Sequence, residues 1–272
     1  MHQLFKMLIK NHTFNLVLFS LCLITIIYLV YPFVTILIFI DSPSFVNSIG
    51  RPAVINAFLL SASTATISTL LLAVFGIPLG YFLARFYDLP GISILRLIVF
   101  LPLVLPPLAS GALLLGAYGP LSPIMKMLPI PDVTQSISGI VIAQAYVASP
   151  FMILASEMAF KSYDESFERV SRVLGKTRLQ TFTQVSIPLA KNGIIIGFIV
   201  SWVRAVGELG ATMMVAYNPH TISIQIFEDN AIGGLSRAIP DIFFSIVLSI
   251  TALIAFCFYS IRSRNGSYLK VN

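Results

Sequence analysis

Charged residues are scarce in this chain. Asp, Glu, Lys and Arg together make up 10% of the 272 residues, whereas 57% are hydrophobic. An average soluble domain carries about 25% charged and about 45 to 50% apolar residues. The composition therefore excludes an ordinary soluble domain and indicates an integral membrane protein.

Several features that site chemistry requires are also missing. Cys22 and Cys257 lie in separate apolar runs, which excludes a disulfide framework and a cysteine metal site. His2, His12 and His220 are scattered and fit no ligand spacing. No Gly-x-x-x-x-Gly-Lys-Ser/Thr phosphate loop is present, so another chain must bind ATP if ATP drives this protein. We expect no cofactor or metal on this chain, and no nucleophile and base that would make it a membrane-embedded enzyme.

Long apolar runs dominate what is present. A helix needs about 20 apolar residues to cross the hydrocarbon core. Six such runs lie at residues 13–40, 53–84, 97–118, 137–156, 192–217 and 242–261. We therefore expect an all-α membrane protein with six transmembrane helices, formed by residues 1–272 as a single domain. The first run is too long for a signal peptide and no cleavage site follows it closely, so we expect it to be retained.

The basic residues predict the orientation. Of the 17 lysines and arginines, thirteen lie at the termini, between spans two and three, and between spans four and five. Only Arg51, Lys126 and Arg237 lie in the alternate loops. The positive-inside rule then places both termini in the cytoplasm of a multi-pass plasma or inner membrane protein. This asymmetry explains the net charge of +6 without a nucleic-acid partner.

The segment 157–191 between spans four and five is the longest strongly charged one. Asp164 can cap a helix there, and Gly175 lets that helix stop. Apolar residues at i, i+3 and i+7 predict one exposed stripe on it: Phe167, Val170 and Leu174. A second short helix is predicted from Thr177 until Pro188 breaks it. The pattern predicts two short helices at an angle, suited to docking another protein.

Two further segments carry unusual residues for a membrane span. Pro102, Pro106 and Pro107 in the third span cannot lie in one straight helix, so the break either lines the pathway or is a kink without a role in it. Arg204 and Glu208 in the fifth span are four residues apart and can pair on one helix face. They either line or gate a translocation path, or stabilise the helix packing.

The docking segment resembles the EAA loop of membrane subunits of binding-protein-dependent ABC importers. In that family E-A-A, three residues, Gly and about nine residues precede I-x-L-P. Here Gly175 and residues 185–188 (V-S-I-P) match that spacing. Residues 169–171 (R-V-S) stand in place of E-A-A, with a carboxylate one position earlier at Glu168, and 172–175 (R-V-L-G) is similar to the family's R-T-L-G.

Other stretches resemble the same family. Residues 76–85 are similar to its second core helix, and 101–107 (L-P-L-V-L-P-P) to its molybdate, tungstate and sulfate branch. Residues 202–211 resemble the W-x-R-A-x-G-E-x-G-A motif of oxyanion importers, and 211–213 (A-T-M) resembles the molybdate/tungstate form.

The resemblance implies the permease subunit of a type I ABC importer for molybdate or tungstate. Sulfate or thiosulfate is the alternative cargo, and an ion-coupled secondary transporter is the alternative class. The family works as a dimer in the lipid membrane, here expected from two copies of this chain. Two cytoplasmic ATPase subunits would hold ATP and Mg, and an external binding protein would deliver the oxyanion.

These expectations assign residues to two roles. ATPase coupling is assigned to Asp164, Phe167, Glu168, Arg169, Val170, Arg172, Leu174, Gly175 and Pro188. The pathway or gate candidates are Arg204, Glu208, Gly207, Gly210, Pro106 and Pro107.

Overall fold

The computed structural model describes residues 12–40, 45, 49–127 and 132–268, and no β-strand occurs among them. The helices are α1 (His12–Ile40), α2 (Pro52–Arg85), α3 (Ile92–Val104), α4 (Pro107–Tyr118), α5 (Pro123–Met127), α6 (Ile137–Lys161), α7 (Ser166–Val173), α8 (Arg178–Thr181), α9 (Ile187–Val206), α10 (Gly210–Val215) and α11 (Ile222–Tyr268). A π-helical turn, Phe182–Ser186, joins α8 to α9.

Among the residues that the structure describes, five stretches of helix are long and apolar enough to cross a membrane: Phe14–Ile36, Pro52–Arg85, Ile137–Lys161, Arg178–Val206 and Ile222–Phe258. A sixth span requires α3 and α4 together, which are bent by 113° at their junction. Leu105 and Pro106 are extended there, because the residue before a proline is driven out of the helical region. The predicted break of the third span is thus confirmed.

The prediction that Pro188 ends a helix is wrong. Pro188 lies in the first turn of α9, and the helical path runs from Arg178 through the π-helical turn to Val206. The fifth span therefore begins before residue 192, the predicted start. Proline lacks an N–H and clashes with the carbonyl four residues earlier. The wider π-helical turn just before Pro188 relieves both conflicts without a break.

The end of α6 and the start of α11 also differ from the predicted boundaries. α6 continues to Lys161, five residues beyond the predicted end, so the docking segment starts at residue 162. α11 starts at Ile222 instead of residue 242, and its two arms meet at Gly234, where φ is 68° and ψ is −170°. The arm before Gly234 contains polar residues, so a search for apolar runs does not detect it.

The core forms around α2 and α6, which run parallel. Ser68 of α2 bonds to the carbonyl of Val141, and twelve residues further Gly80 meets Ser156. A Cβ on Gly80 would lie 2.6 Å from the Cβ of Ser156 and 2.8 Å from the carbonyl oxygen of Ile153. Small residues thus let the two backbones approach closely.

The first helix stands apart from this core. No side chain of α1 between Phe14 and Ile36 is buried, and the described part of α1 packs chiefly against α11. Its exposed surface is almost entirely apolar. Such a surface requires lipid or another protein around it.

Candidate functional site

The corner between α6 and α9 has the geometry of two capped short helices. The Asp164 carboxylate accepts the Ser166 N–H at 2.7 Å, and this bond lowers the pKa of Asp164. At the other end of α7, the Gly175 N–H bonds to Arg172 O and the Lys176 N–H to Ser171 O. This is a Schellman motif, and Gly175 supplies its left-handed residue with a φ of 85°. The predicted cap and stop are both confirmed.

One side of this corner carries an exposed apolar patch. It consists of Phe167, Val170, Val173, Leu174 and Leu179, with exposures from 55% to 87%. The predicted stripe is therefore exposed, and the structure adds Val173 and Leu179 to it. Four of its five residues lie between the candidate spans Ile137–Lys161 and Arg178–Val206, and Leu179 lies in the first turn of the second of these spans. A partner protein is the occupant that such a surface fits.

Basic side chains line a cavity at the same corner. The cavity, of about 260 Å³, opens between the end of α2 and α7, where Arg85 and Glu168 form part of its wall. Exposed arginines line its edge: Arg169, Arg172 and Arg178. Arg169 approaches Asp164 and Glu165 only at 4.0 and 3.9 Å, in exposed pairs that contribute little energy. The corner therefore carries both an exposed apolar patch and a cavity with a basic edge.

Glu168 lies on the opposite side of α7 and is buried. Its carboxylate accepts hydrogen bonds from Tyr81 Oη at 2.8 Å and Tyr163 Oη at 2.5 Å. It also accepts bonds from Arg85 Nε at 3.0 Å and Arg85 Nη2 at 2.9 Å. The Arg85 guanidinium lies 4.8 Å from the ring centre of Tyr163, close enough for a cation–π contact. We call these four residues the inner cluster.

The hydrogen bonds of the inner cluster fix the protonation states of Glu168 and Tyr163. Burial alone would raise the pKa of Glu168, but bonds from Arg85, Tyr163 and Tyr81 outweigh it, so this pKa lies below its ordinary value. Burial and the bond to Glu168 raise the pKa of Tyr163 to about 12. Glu168 is therefore an anion, and Tyr163 a neutral donor, at physiological pH.

A second ion cluster at the same end ties α3 to α6. Glu157, at the end of α6, accepts bonds from Arg96 Nη2 at 2.9 Å and Lys161 Nζ at 2.5 Å. Arg96 also donates to the carbonyl of Leu83 at 3.2 Å. The basic residues that predict the orientation thus also hold three helix ends together.

The structure brings the pathway candidates together at two helix breaks. Arg204 Nη1 lies 2.7 Å from Glu208 Oε2, which confirms the predicted pair. The other oxygen of Glu208 accepts the Ala211 N–H at 2.8 Å, so it also caps α10 across the break at Gly207. A Cβ on Gly210 would lie 2.8 Å from the Cβ of Pro107, which places this break against the one at Pro106.

The two partners of this pair differ in exposure. Glu208 is 1% exposed, whereas Arg204 is 29% exposed and borders an open, mainly apolar groove between α6, α9 and α11. The sequence left two functions open for this pair, and the burial of Glu208 and its two bonds support the one in which the pair stabilises helix packing. A function in the pathway stays a prediction.

The opposite end of the bundle carries a cluster that the sequence patterns did not reveal. Arg51 Nη2, just before α2, lies 2.5 Å from Asp229 Oδ2 and 3.7 Å from Asp241 Oδ2. Arg237 Nε lies 2.8 Å from Asp229 Oδ1, across the kink at Gly234. Both carboxylates are buried. In the sequence, the only sign of this cluster is an excess of acidic residues at positions 218–241, which were predicted to be a loop. We call these four charged residues the outer cluster.

No group of three or more His, Cys, Asp or Glu side chains suited to a metal ion occurs in the described part of the chain.

Comparisons with known proteins agree with this architecture. The model of the family of binding-protein-dependent transport system inner membrane components matches residues 76–265. The chain is 38% identical over 219 residues to a probable molybdenum ABC transporter permease protein of Haloferax volcanii, covering 80% of each. It is 37% identical to a molybdate/tungstate transport system permease protein of Thermococcus kodakarensis, over 79% of this chain and 83% of that one.

Solved structures share the fold. A chain of a bacterial ABC transporter involved in import of the acidic polysaccharide alginate superposes with a TM-score of 0.72 at 17% identity, over 97% of this chain and 99% of that one. The resemblance deduced from the docking segment and the helix motifs is thereby confirmed. The chain belongs to the family of binding-protein-dependent transport system inner membrane components.

Proposed function

We propose that this chain is the permease subunit of an ATP-driven importer that moves molybdate or tungstate across the cell membrane. As a member of its family it is a multi-pass membrane protein and a transport component rather than an enzyme. The observation that carries the proposal is the apolar patch on α7 and α8. It gives an ATPase chain a surface outside the membrane to act on.

The cargo follows from the relatives. Both relatives described above are named for molybdenum or for molybdate and tungstate, and each matches about four fifths of this chain. The chain offers no phosphate-binding loop, so ATP and Mg belong to the partner ATPase. The exposed arginines at the edge of the cavity, Arg169, Arg172 and Arg178, fit an ATPase surface that carries acidic residues.

The arrangement in the membrane is part of the same proposal. The end of the bundle with α7 and α8 faces the cytoplasm, because the basic residues concentrate there, and both termini lie on that side. Two copies form the pathway between them. The fully exposed apolar surface of α1 supports a second copy packed in the lipid membrane, since one copy alone buries little of this helix. An external binding protein delivers the anion to the end with the outer cluster.

The test is transport by the reconstituted complex. The permease, its ATPase and its binding protein are placed in proteoliposomes, and uptake of molybdate, tungstate and sulfate is measured with ATP inside. We expect ATP-dependent uptake of molybdate or tungstate to exceed sulfate uptake by about tenfold or more, the equivalent of about 1.4 kcal/mol in selectivity. Equal or faster uptake of sulfate would assign the alternative cargo. Uptake driven by a proton or sodium gradient without ATP would place the chain in another class.

A matched pair of variants tests the patch itself. Val170→Asp puts a charge in the centre of the patch and should weaken ATPase binding by about 30-fold, a typical effect at an interface hot spot. Leu121→Asp changes an apolar residue at the other end of the bundle that is even more exposed, at 84% against 56% for Val170, and should leave binding unchanged. Equal binding by both variants would show that the ATPase docks elsewhere.

A further inference from the structure

We propose that Glu168 is a positioning residue for coupling, which fastens α7 to the cytoplasmic end of α2 so that both move together when the ATPase acts on the apolar patch. This inference rests on the proposed function for the identity of the acting partner. The fastening itself is a property of the isolated permease.

The geometry of the inner cluster carries the proposal. The Glu168 side chain is 6% exposed, and its carboxylate accepts four hydrogen bonds from within the permease at one edge of the cavity lined by Arg169, Arg172 and Arg178. Two of its three partner residues, Tyr81 and Arg85, belong to α2, and Tyr163 lies in the connection before α7. Glu168 therefore faces into the permease, while the apolar patch on the same helix faces out.

Other contacts hold α7 to α2 only weakly. Glu165 lies 3.6 Å from Arg85, but its side chain is 40% exposed, so water competes for it. On its other side α7 meets the following segment, where Ser171 Oγ lies 3.1 Å from Thr181 Oγ1. Among the described residues, the charge-assisted bonds of Glu168 are thus the main link between α7 and α2.

α2 can carry a displacement further into the bundle. It is one continuous helix of 34 residues, and it packs against α6 without an intervening side-chain layer at Gly80. At its far end Arg51 pairs with Asp229 and Asp241 of α11. A shift at Arg85 therefore acts on α6 through close packing and on α11 through charges.

The first experiment uses the permease alone. Amide hydrogen exchange across α7 is compared in the native chain, in Glu168→Gln and in Glu165→Gln. The two variants remove the same charge from the same residue type, three positions apart. Glu168→Gln should speed exchange in α7 by about tenfold or more, since a charge-assisted bond is lost. Glu165→Gln should change it by less than about twofold, as expected for an exposed pair.

The second experiment uses the complex with ATPase and binding protein. Because the patch is unchanged, Glu168→Gln should bind the ATPase within about twofold of the native chain and still support ATP hydrolysis. Transport per ATP hydrolysed should fall by about fivefold or more, since α7 then moves without α2. A residue with only a structural role would lower assembly, hydrolysis and transport together. Glu165→Gln should match the native chain in all three.

Tyr163→Phe covers the case in which Glu168→Gln fails to fold. It removes one donor and leaves no new charge, and it should give smaller changes in the same two measurements. The proposal is overturned if the variants of Glu168 and Tyr163 match Glu165→Gln in α7 exchange and in transport per ATP. If the native complex does not transport at all, the proposed function fails, whereas the exchange result still decides whether Glu168 fastens α7.

Discussion

The pair formed by Arg204 and Glu208 predicts that its two members contribute unequally to stability. Glu208 is almost fully buried, whereas Arg204 reaches an open groove. Removal of Arg204 leaves a carboxylate without access to water. Removal of the charge on Glu208 leaves a guanidinium on a long side chain that borders the groove and can reorient there. The loss of the arginine should therefore be the more damaging change.

The structure allows the magnitudes to be worked out. Removal of one partner from a buried ion pair costs about 3 to 5 kcal/mol. In Arg204→Met the carboxylate of Glu208 keeps its 2.8 Å bond from the Ala211 N–H, which places the expected loss near about 3 kcal/mol. In Glu208→Gln the amide oxygen can still accept that N–H, and the remaining cation reaches the groove. The expected loss is about 1 to 2 kcal/mol.

The assay is reversible unfolding of the purified permease in mixed micelles, followed by circular dichroism. The double variant Arg204→Met/Glu208→Gln leaves no unpaired charge and should be more stable than Arg204→Met alone. Arg172→Met, which removes an exposed arginine of α7, is the control and should change stability by less than about 0.5 kcal/mol. Equal losses in the two single variants, or strictly additive losses in the double variant, would refute the reasoning.

Three further predictions concern the docking corner and the core. Gly175→Ala should destabilise the corner by about 1 kcal/mol because of its positive φ, and Gly175→Asn by less, as measured by amide exchange of α7. Gly80→Ala should cost about 1 to 3 kcal/mol in unfolding, because its Cβ meets the backbone of α6. Gly76→Ala, which meets the flexible side chain of Met152 at 3.0 Å, should cost less and serves as its control. The stabilisation from Glu168, whose pKa is lowered from 4.5, should be complete above pH 4.5 and disappear as the pH falls through the lowered pKa. Exchange in α7, corrected for its intrinsic pH dependence, should detect that loss, and a loss near neutral pH would contradict it.

The features that could be predicted from sequence are those set by neighbouring residues. Long apolar runs located most of the spans because a span is recognised from its own composition. The cap at Asp164 and the stop at Gly175 were predictable because each depends on residues within one or two turns. The spacing of Arg204 and Glu208 predicted that they pair, but Glu208 lies beyond the end of α9 at Val206, so the pair bridges a helix end instead of lying on one helix face.

The features that could not be predicted depend on residues distant in the chain. Tyr81 is 87 residues from Glu168, so no local pattern indicates that this carboxylate faces inward. The first arm of α11 carries Asp229, which a search for apolar runs treats as a loop residue. Its charge is tolerated because Arg51 and Arg237 meet it in space. Only the fold brings these partners together.

The outer cluster also constrains the order of assembly during synthesis. Arg51 and Asp229 are 178 residues apart, so at roughly 5 to 20 residues per second a ribosome makes α2 some 10 to 35 seconds before this partner exists. During that interval the outer end of α2 has neither of the carboxylates that later hold it. Insertion of α2 and its final fixation are therefore separate events, and the second requires α11. A nascent chain that stops before residue 229 would contain every helix up to α10 and still lack the contact that fixes the beginning of α2.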